Sequence, residues 1–395
     1  MKKTVKDIEL KGKKVFLRCD FNVPLDDNRN ITDDRRIQAA LPTVQYLMEQ
    51  GARTVIASHL GRPKGKPDMQ YSLAPVAERL SELLGQQVQF VSEPEVTGPG
   101  VKQAVEELAP GAVLLIENVR FRPEETENDP AFSAELAALG EVFVNDAFGT
   151  AHRAHCSTAG IAEHLPAVSG FLMEKEILFF ENLLQSPAHP FTAVLGGSKV
   201  SDKIPLIENL LDKVDTILVG GGMAYTFLKA KGYETGSSLL DEESLELAAN
   251  IMKKADEAGV TFLIPKDSIC APEFKNDSPS EVYASENMPQ GQMGLDIGPA
   301  TMEQYRKVIM DSATVVWNGP MGVFEMDQFA GGTKAVAQAM NDTEAVTVIG
   351  GGDSAAAVRK FDLEDGISHI STGGGASLEY LEGKILPGVA CLEDK

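Results

Sequence analysis

Short apolar runs bounded by turn residues alternate with longer stretches of helical period along the whole chain. In the first half the runs are KKVFLRCDF, ARTVIASH, QVQFVSE, AVLLIENV and EVFVNDAF. Bounded by turns and separated by helical stretches, they predict a parallel sheet covered on both faces. One helix is well marked: Asp33 or Asp34 can cap it, Ile37, Leu41, Val44 and Met48 keep a helical period, and Gly51 can end it. Pro42 lies inside that period, where a kink can form.

The second half repeats the alternation with TAVLGGSK, DTILVGGG, VTFLIPKD, ATVVWNGP, AVTVIGGGDS and SHISTGGG. Between the halves, VSGFLMEKEILFFENLLQS has the length and apolar content of a helix, and QSPAHPF is the clearest break in composition. The expected fold class is α/β, with two doubly wound, Rossmann-like parallel-sheet lobes joined by a helix and a hinge.

Composition narrows the function classes. The 395 residues are 43% hydrophobic and 24% charged, ordinary for a globular chain of two or three domains. A net charge of −22 leaves no electrostatic footprint for a general nucleic-acid or anionic-membrane surface, so an anionic ligand must be met by a local cluster. Arginine supplies one, since ten of the twelve precede Pro190. No apolar run approaches the ~18 residues of a membrane span and no apolar signal region follows the charged start, so a cytoplasmic protein is expected. Cys19, Cys156, Cys270 and Cys391 show no metal spacing and read as free thiols.

In open α/β sheets ligands bind beyond the carboxyl ends of the strands. Asp20 and Asn22, His59 and Arg62, Arg120, and the segment from Asp146 to His152 and Arg153 follow four different runs, with Arg36 added from the first turn of the capped helix. Any one arginine is explained equally well by solvation, but four converging strand ends form an anion pocket suited to a phosphate plus a carboxylate. His152 and His155 have no third partner at a ligand spacing, which favours an anion-contacting His152 and a structural His155 over a metal site.

Four glycine clusters end runs of the second half: Gly196-Gly197, Gly220 to Gly222, Gly350 to Gly352 and Gly373 to Gly375. Backbone amides there can cradle phosphates. Lys199 and Lys203, four apart, would share one face of a helix starting after Gly197, either as cations beside a phosphate or as a solvated face. Asp353 can hold Mg²⁺ on nucleotide phosphates and Ser354 can bind phosphate, or the pair can cap a helix. GxxxxGK[ST], GxGxxG with a following acid, HRD and DFG are all absent, which excludes a P-loop enzyme, disfavours a dinucleotide oxidoreductase and leaves no protein-kinase signature.

The blocks RCDFNVP (Arg18 to Pro24), SHLGRP, ENVRF, NDAFGTAHRAH, LGGSKVSDKI, WNGPMGVFE, GGGDS and STGGGAS resemble those of the phosphoglycerate kinase family, in family order across nearly the whole chain. The resemblance implies reversible Mg²⁺-dependent phosphoryl transfer from 1,3-bisphosphoglycerate to ADP, giving 3-phosphoglycerate and ATP in glycolysis, by direct in-line transfer with closure of the lobes. It implies that Asp20, Phe21, Asn22, Arg36, His59, Leu60, Gly61, Arg62, Arg120, His152 and Arg153 hold 3-phosphoglycerate. It assigns the nucleotide to Gly196, Gly197, Lys199, Lys203, Gly294, Asn318, Pro320, Glu325, Gly350, Gly351, Gly352, Asp353, Ser354, Gly373 and Gly374, with Glu325 on the ribose and Asp353 on Mg²⁺. Arg36, Lys199, Lys203, Gly352 and Gly375 would serve the transfer itself. Ser198 and Ser354 stand where the family often has Ala and Thr. The implied domains are 1–170 for the acceptor, with 377–395 returning to it, a joining helix over 171–186, and 187–376 for the nucleotide. Small-molecule substrates, no nucleic acid or membrane, and a monomer are expected. The rival reading is a two-lobed protein that clamps an anionic metabolite without turnover.

Overall fold

The computed structural model describes residues 1–395. It divides into two compact units, Met1–Phe179 with Ile385–Lys395, and Phe180–Lys384. The first unit is built on β1 (Lys14–Arg18), β2 (Arg53–Ala57), β3 (Gln89–Val91), β4 (Val113–Ile116), β5 (Val142–Asn145) and β6 (Ala167–Ser169), all parallel in the order β3-β4-β2-β1-β5-β6. The first five are the apolar runs of the sequence. Val15, Leu17, Ile56, Leu115 and Val144 of this sheet share a core with Ile37, Val44 and Leu47 of the helix Arg35–Glu49. Chain order reverses between β1 and β5, which opens a crevice at their carboxyl ends.

That helix runs on through Pro42, and Gly51 follows its end at φ +70°. Its cap differs from expectation. Asp34 holds the N-cap position without a side-chain cap bond, because its carboxylate is taken by Arg79 at 2.8 Å and Gln38 at 2.7 Å. Asp33 instead accepts from the Arg35 N–H at 3.0 Å. The last residues belong to the first unit: Glu393 donates its N–H to the Ala167 carbonyl at 2.9 Å, and the Gly388 carbonyl accepts from Asn145 Nδ2 at 2.9 Å.

In the second unit, β7 (Phe191–Leu195), β8 (Thr216–Val219) and β9 (Thr261–Leu263) are followed by β10 (Asp267–Ala271), β11 (Glu281–Ala284) and β12 (Met293–Ile297), then β13 (Thr314–Asn318), β14 (Val346–Ile349) and β15 (His369–Ile370). The parallel sheet has the order β15-β14-β13-β7-β8-β9, with its reversal between β7 and β13. The antiparallel sheet β11-β10-β12 is an addition that the sequence pattern does not announce. The helix Phe171–Gln185 occupies the apolar stretch expected to join the halves. No helix is long and apolar enough to cross a membrane.

Candidate active site

The loops after β1, β2, β4 and β5 carry all the residues expected to meet the acceptor except Arg36, which comes from the first turn of the helix Arg35–Glu49. Arg36 Nη1 donates to Asp20 Oδ2 at 2.5 Å. Asn22 Oδ1 accepts from the Gly61 N–H at 2.8 Å, tying the first loop to the second. Phe21 and Leu60 are buried, so they support these loops from beneath rather than present side chains to a ligand.

Arg120 lies in the tight turn Val119–Phe121, and the buried Asn118 sets its position. Asn118 Oδ1 accepts from the Arg120 N–H at 3.1 Å, while its Nδ2 donates to the carbonyls of Leu60 at 2.8 Å and Tyr71 at 2.9 Å. Arg120 Nη1 donates to the Gly61 carbonyl at 3.1 Å, but Nε and Nη2 are buried with no hydrogen-bond partner. Unused buried donors on a guanidinium are costly until an anion completes them. A cavity of about 510 Å³ here is bounded by Arg62, Arg120, Arg153 and His155, together with Lys64 and Arg122. His152 sits beside it, its Nε2 accepting from Arg153 Nε at 3.1 Å.

Burial disfavours charge on Asp20, yet Arg36, Arg18 and the Asn22 N–H outweigh it and hold the carboxylate below its usual range. Burial pushes His59 well down, aided by Arg18, Arg120 and Arg36, so its ring is neutral. His155 is pushed down to about 3 by burial and the same arginine cluster. Burial, then Arg18 and Arg153, lower Arg120 to about 10, which leaves it a cation at neutral pH. Arg18 escaped the sequence reading of the site. It ends β1, is fully buried, and brings Nη2 to 3.2 Å from His59 Nδ1; its only signal is a charge inside an apolar run.

At the reversal of the second sheet, the Gly196 N–H donates to the Asn318 carbonyl at 2.9 Å and the Gly197 N–H to the Pro320 carbonyl at 3.3 Å. Gly319 has φ +92°, and a Cβ there would come within 2.3 Å of the Gly196 carbonyl oxygen, so no other residue fits this crossing. Asn318 donates from Nδ2 to the Gly350 carbonyl at 2.6 Å, and its Oδ1 accepts from Lys203 Nζ. Gly351, at φ +99°, precedes the helix Gly352–Lys360, where Gly352 and Asp353 are exposed and no heavy atom lies where a Gly352 Cβ would stand. Ser354 is buried and its Oγ accepts from the Gly319 N–H at 2.7 Å, which locks the two loops together. Gly373 and Gly374 follow β15, and an exposed Gly375 opens the helix Gly375–Leu381.

The two lysines do not share a helix face as expected. A 3₁₀ turn spans Ser201–Lys203 and the helix begins only at Ile204, so Lys199 is an exposed loop residue and Lys203 a half-buried turn residue. Pro205 at the start of the helix explains the delay, because it favours a first-turn position. Burial pushes the Lys203 ammonium down, against Asp202, Glu382 and Asp353.

A pocket of about 550 Å³ adjoins these loops, with Gly197, Gly221, Gly222, Gly294 and Pro320 in its walls and Glu325 and Asp353 among its polar groups. Tyr225, Leu239, Phe274 and Met293 supply its apolar lining, and none carried a local sequence signal. An apolar slot beside glycine turns and two carboxylates suits a base, a ribose and phosphates. No three His, Cys, Asp or Glu side chains cluster to hold a metal unaided. A single carboxylate, Asp353, fits a cation whose other ligands are phosphate oxygens and water.

Two parallel α/β units, one with a cationic cluster holding unused donors and the other with a lysine beside a glycine-walled pocket, define a phosphotransferase working between a small anion and a nucleotide. The chain belongs to the phosphoglycerate kinase family, whose model matches residues 5–384. The phosphoglycerate kinase of Clostridium botulinum (strain Alaska E43 / Type E3) is 57% identical over 394 residues, covering 100% of this chain and 99% of that protein. That of Clostridium tetani is 54% identical over 395 residues, covering 100% and 98%. The structure of phosphoglycerate kinase from Coxiella burnetii matches with a TM-score of 0.90 at 44% identity over 99% of this chain and 98% of that one. The phosphoglycerate kinase of Pyrococcus horikoshii OT3 gives 0.81 at 35% identity over 98% of each.

Proposed function

We propose that the first unit binds 3-phosphoglycerate or 1,3-bisphosphoglycerate, that the second binds ADP or ATP, and that the phosphoryl group passes directly between them. The observation that carries this reading is Arg120, a buried guanidinium with two unused donors on a cavity walled by further cations. Arg62, Arg120 and Arg153 hold the acceptor's phosphate and carboxylate oxygens as forked donors, with His152 close by. Asp20 and Asn22 fix the loops around it, Gly61 ties Asn22 to Arg120, His59 completes its binding, and Arg36 orients the acyl-phosphate end.

Lys203 follows the transferred group, Lys199 supports it, and the backbone amides of Gly352 or Gly375 neutralise its equatorial oxygens. Glu325 takes the ribose hydroxyls. Asp353 would hold the Mg²⁺ that enters with the nucleotide, where the cation neutralises phosphate charge. The four thiols are free, and burial pushes the pKa of each one up, so none of the cysteines is an activated nucleophile.

We further propose a cytoplasmic monomer. A coupled assay with ATP, Mg²⁺ and 3-phosphoglycerate tests the function: ADP formation that depends on 3-phosphoglycerate is expected. Tight binding of both ligands with no turnover would instead leave the metabolite-clamping alternative.

A further inference from the structure

Behind the acceptor cluster lies a buried polar chain that binding of the acceptor does not by itself require. Glu125, in the short helix Glu124–Glu127, has no exposed surface. Its Oε2 accepts from the Ser157 N–H at 3.0 Å and its Oε1 from the Ser157 hydroxyl at 2.6 Å. A serine hydroxyl has one hydrogen, and here it is committed to Glu125. Ser157 Oγ therefore meets Arg18 only as an acceptor, and it takes the Arg18 Nε–H at 2.7 Å. Arg18 in turn reaches the Cys19 carbonyl through Nη1 and His59 Nδ1 through Nη2, the latter at 3.2 Å.

The chain has a direction. A guanidinium has donors and no acceptor, so His59 Nδ1 must accept, and the hydrogen of the neutral ring stands on Nε2. Asp20 Oδ1 is 3.9 Å from the same Nδ1, beyond hydrogen-bond reach, and does not reverse this. Burial pushes the Glu125 carboxyl up, while Arg18, the two bonds from Ser157 and Arg120 favour its anion, the only form that accepts at both oxygens.

We propose that Glu125, acting through Ser157, is a positioning residue for the acceptor site: it orients Arg18 so that His59 is held as the Nε2–H tautomer, a donor to an anionic oxygen of the acceptor. This rests on the reading of His59 as part of the 3-phosphoglycerate site. Glu125→Gln keeps the shape but turns an N–H₂ toward one Ser157 donor; where that donor is the hydroxyl, it must turn its hydrogen away from residue 125, which changes how its lone pairs meet Arg18 Nε–H. Ser157→Ala cuts the chain and leaves both charges in place.

Nitrogen-15 NMR of the histidine rings in the full chain tests it, the His59 signal being assigned by its loss in His59→Gln. The wild type is expected to show an unprotonated Nδ1. Both Glu125→Gln and Ser157→Ala are expected to shift that signal and to raise KM for 3-phosphoglycerate at least tenfold, with KM for MgATP within twofold. A wild-type ring protonated on Nδ1, or a His59 signal unmoved in both variants, would overturn the proposal. A moved signal with unchanged KM would overturn the positioning role. Should Glu125→Gln not fold, Ser157→Ala decides alone. If His59→Gln leaves KM for 3-phosphoglycerate unchanged, the site reading fails as well, which the ring signals, measured without substrate, keep separate from failure of the chain itself.

Discussion

Lys203 donates to a neutral partner, Asn318 Oδ1, so its charge is held in place without being cancelled by a bonded carboxylate. A cation kept partly out of water acts most on charge that develops during transfer, when solvent cannot rearrange to meet it. Lys203→Ala is therefore expected to lower kcat by ~10²-fold or more, with a much smaller rise in either KM; steady-state kinetics showing a raised KM at near-normal kcat would remove it from the mechanism. Arg120 differs, since its unused donors lie in the unit proposed to bind the acceptor. Arg120→Ala should weaken 3-phosphoglycerate binding in titration calorimetry and leave MgADP binding unaltered, whereas equal loss for both would indicate damage to the fold. These residues were legible because each follows an apolar run, where a charge has no packing reason to be. Arg18, Asn118, Glu125 and Ser157 were not, because a buried polar group looks like any other residue until its partners, brought from elsewhere in the chain, are seen.

Most strands were legible because burial on both faces erased polar positions from them. The strands β1, β2, β4, β5, β7, β8, β13 and β14 satisfy that condition, β3 and β9 are partly exposed and were marked by short apolar runs alone, the antiparallel β11 is largely exposed, and the buried β6 runs directly into the apolar helix that follows, which hides it. The helix Phe171–Gln185 was legible from its apolar content, but its anchor was not. Asp146 Oδ1, beyond β5, accepts from the N–H groups of Leu172 at 2.9 Å and Met173 at 3.1 Å, which satisfies two donors of the first helical turn. Burial pushes the Asp146 carboxyl up to about 7, against the bonds from Thr43, Met173 and Leu172. A carboxyl whose folded value lies above its unfolded value of about 3.9 stabilises the fold fully below that pH and loses the contribution as pH rises toward 7. Asp146→Asn keeps the Oδ1 acceptor and has nothing to ionise. Its melting temperature relative to wild type should therefore climb by several degrees between pH 4.5 and 7.5 and then level off. His59 and His155 also titrate in this range on unfolding, but they are common to both proteins and cancel in the difference. A difference independent of pH would show that Asp146 is ionised throughout.

For the whole molecule, the assignment of the two substrates to separate units sets a physical requirement. In-line transfer needs the reacting atoms within ~3–3.5 Å of each other, and an acyl phosphate must be kept from water during the event. On that assignment neither condition is met by one unit alone, since the cations proposed for the acceptor follow β1, β2, β4 and β5, and most groups proposed for the nucleotide follow β7, β13, β14 and β15. Each bound ligand by itself lacks the contacts that would favour a closed arrangement, so only the two together should shift the population strongly. The pair 3-phosphoglycerate and MgADP is the right probe, because neither carries the phosphoryl group that passes between them and the complex cannot turn over. Small-angle scattering is expected to show a smaller radius of gyration with both ligands than for the free protein or either binary complex. An identical radius in all four states would mean that transfer takes place without closure, and the separate assignment of the two substrates would then have to be abandoned.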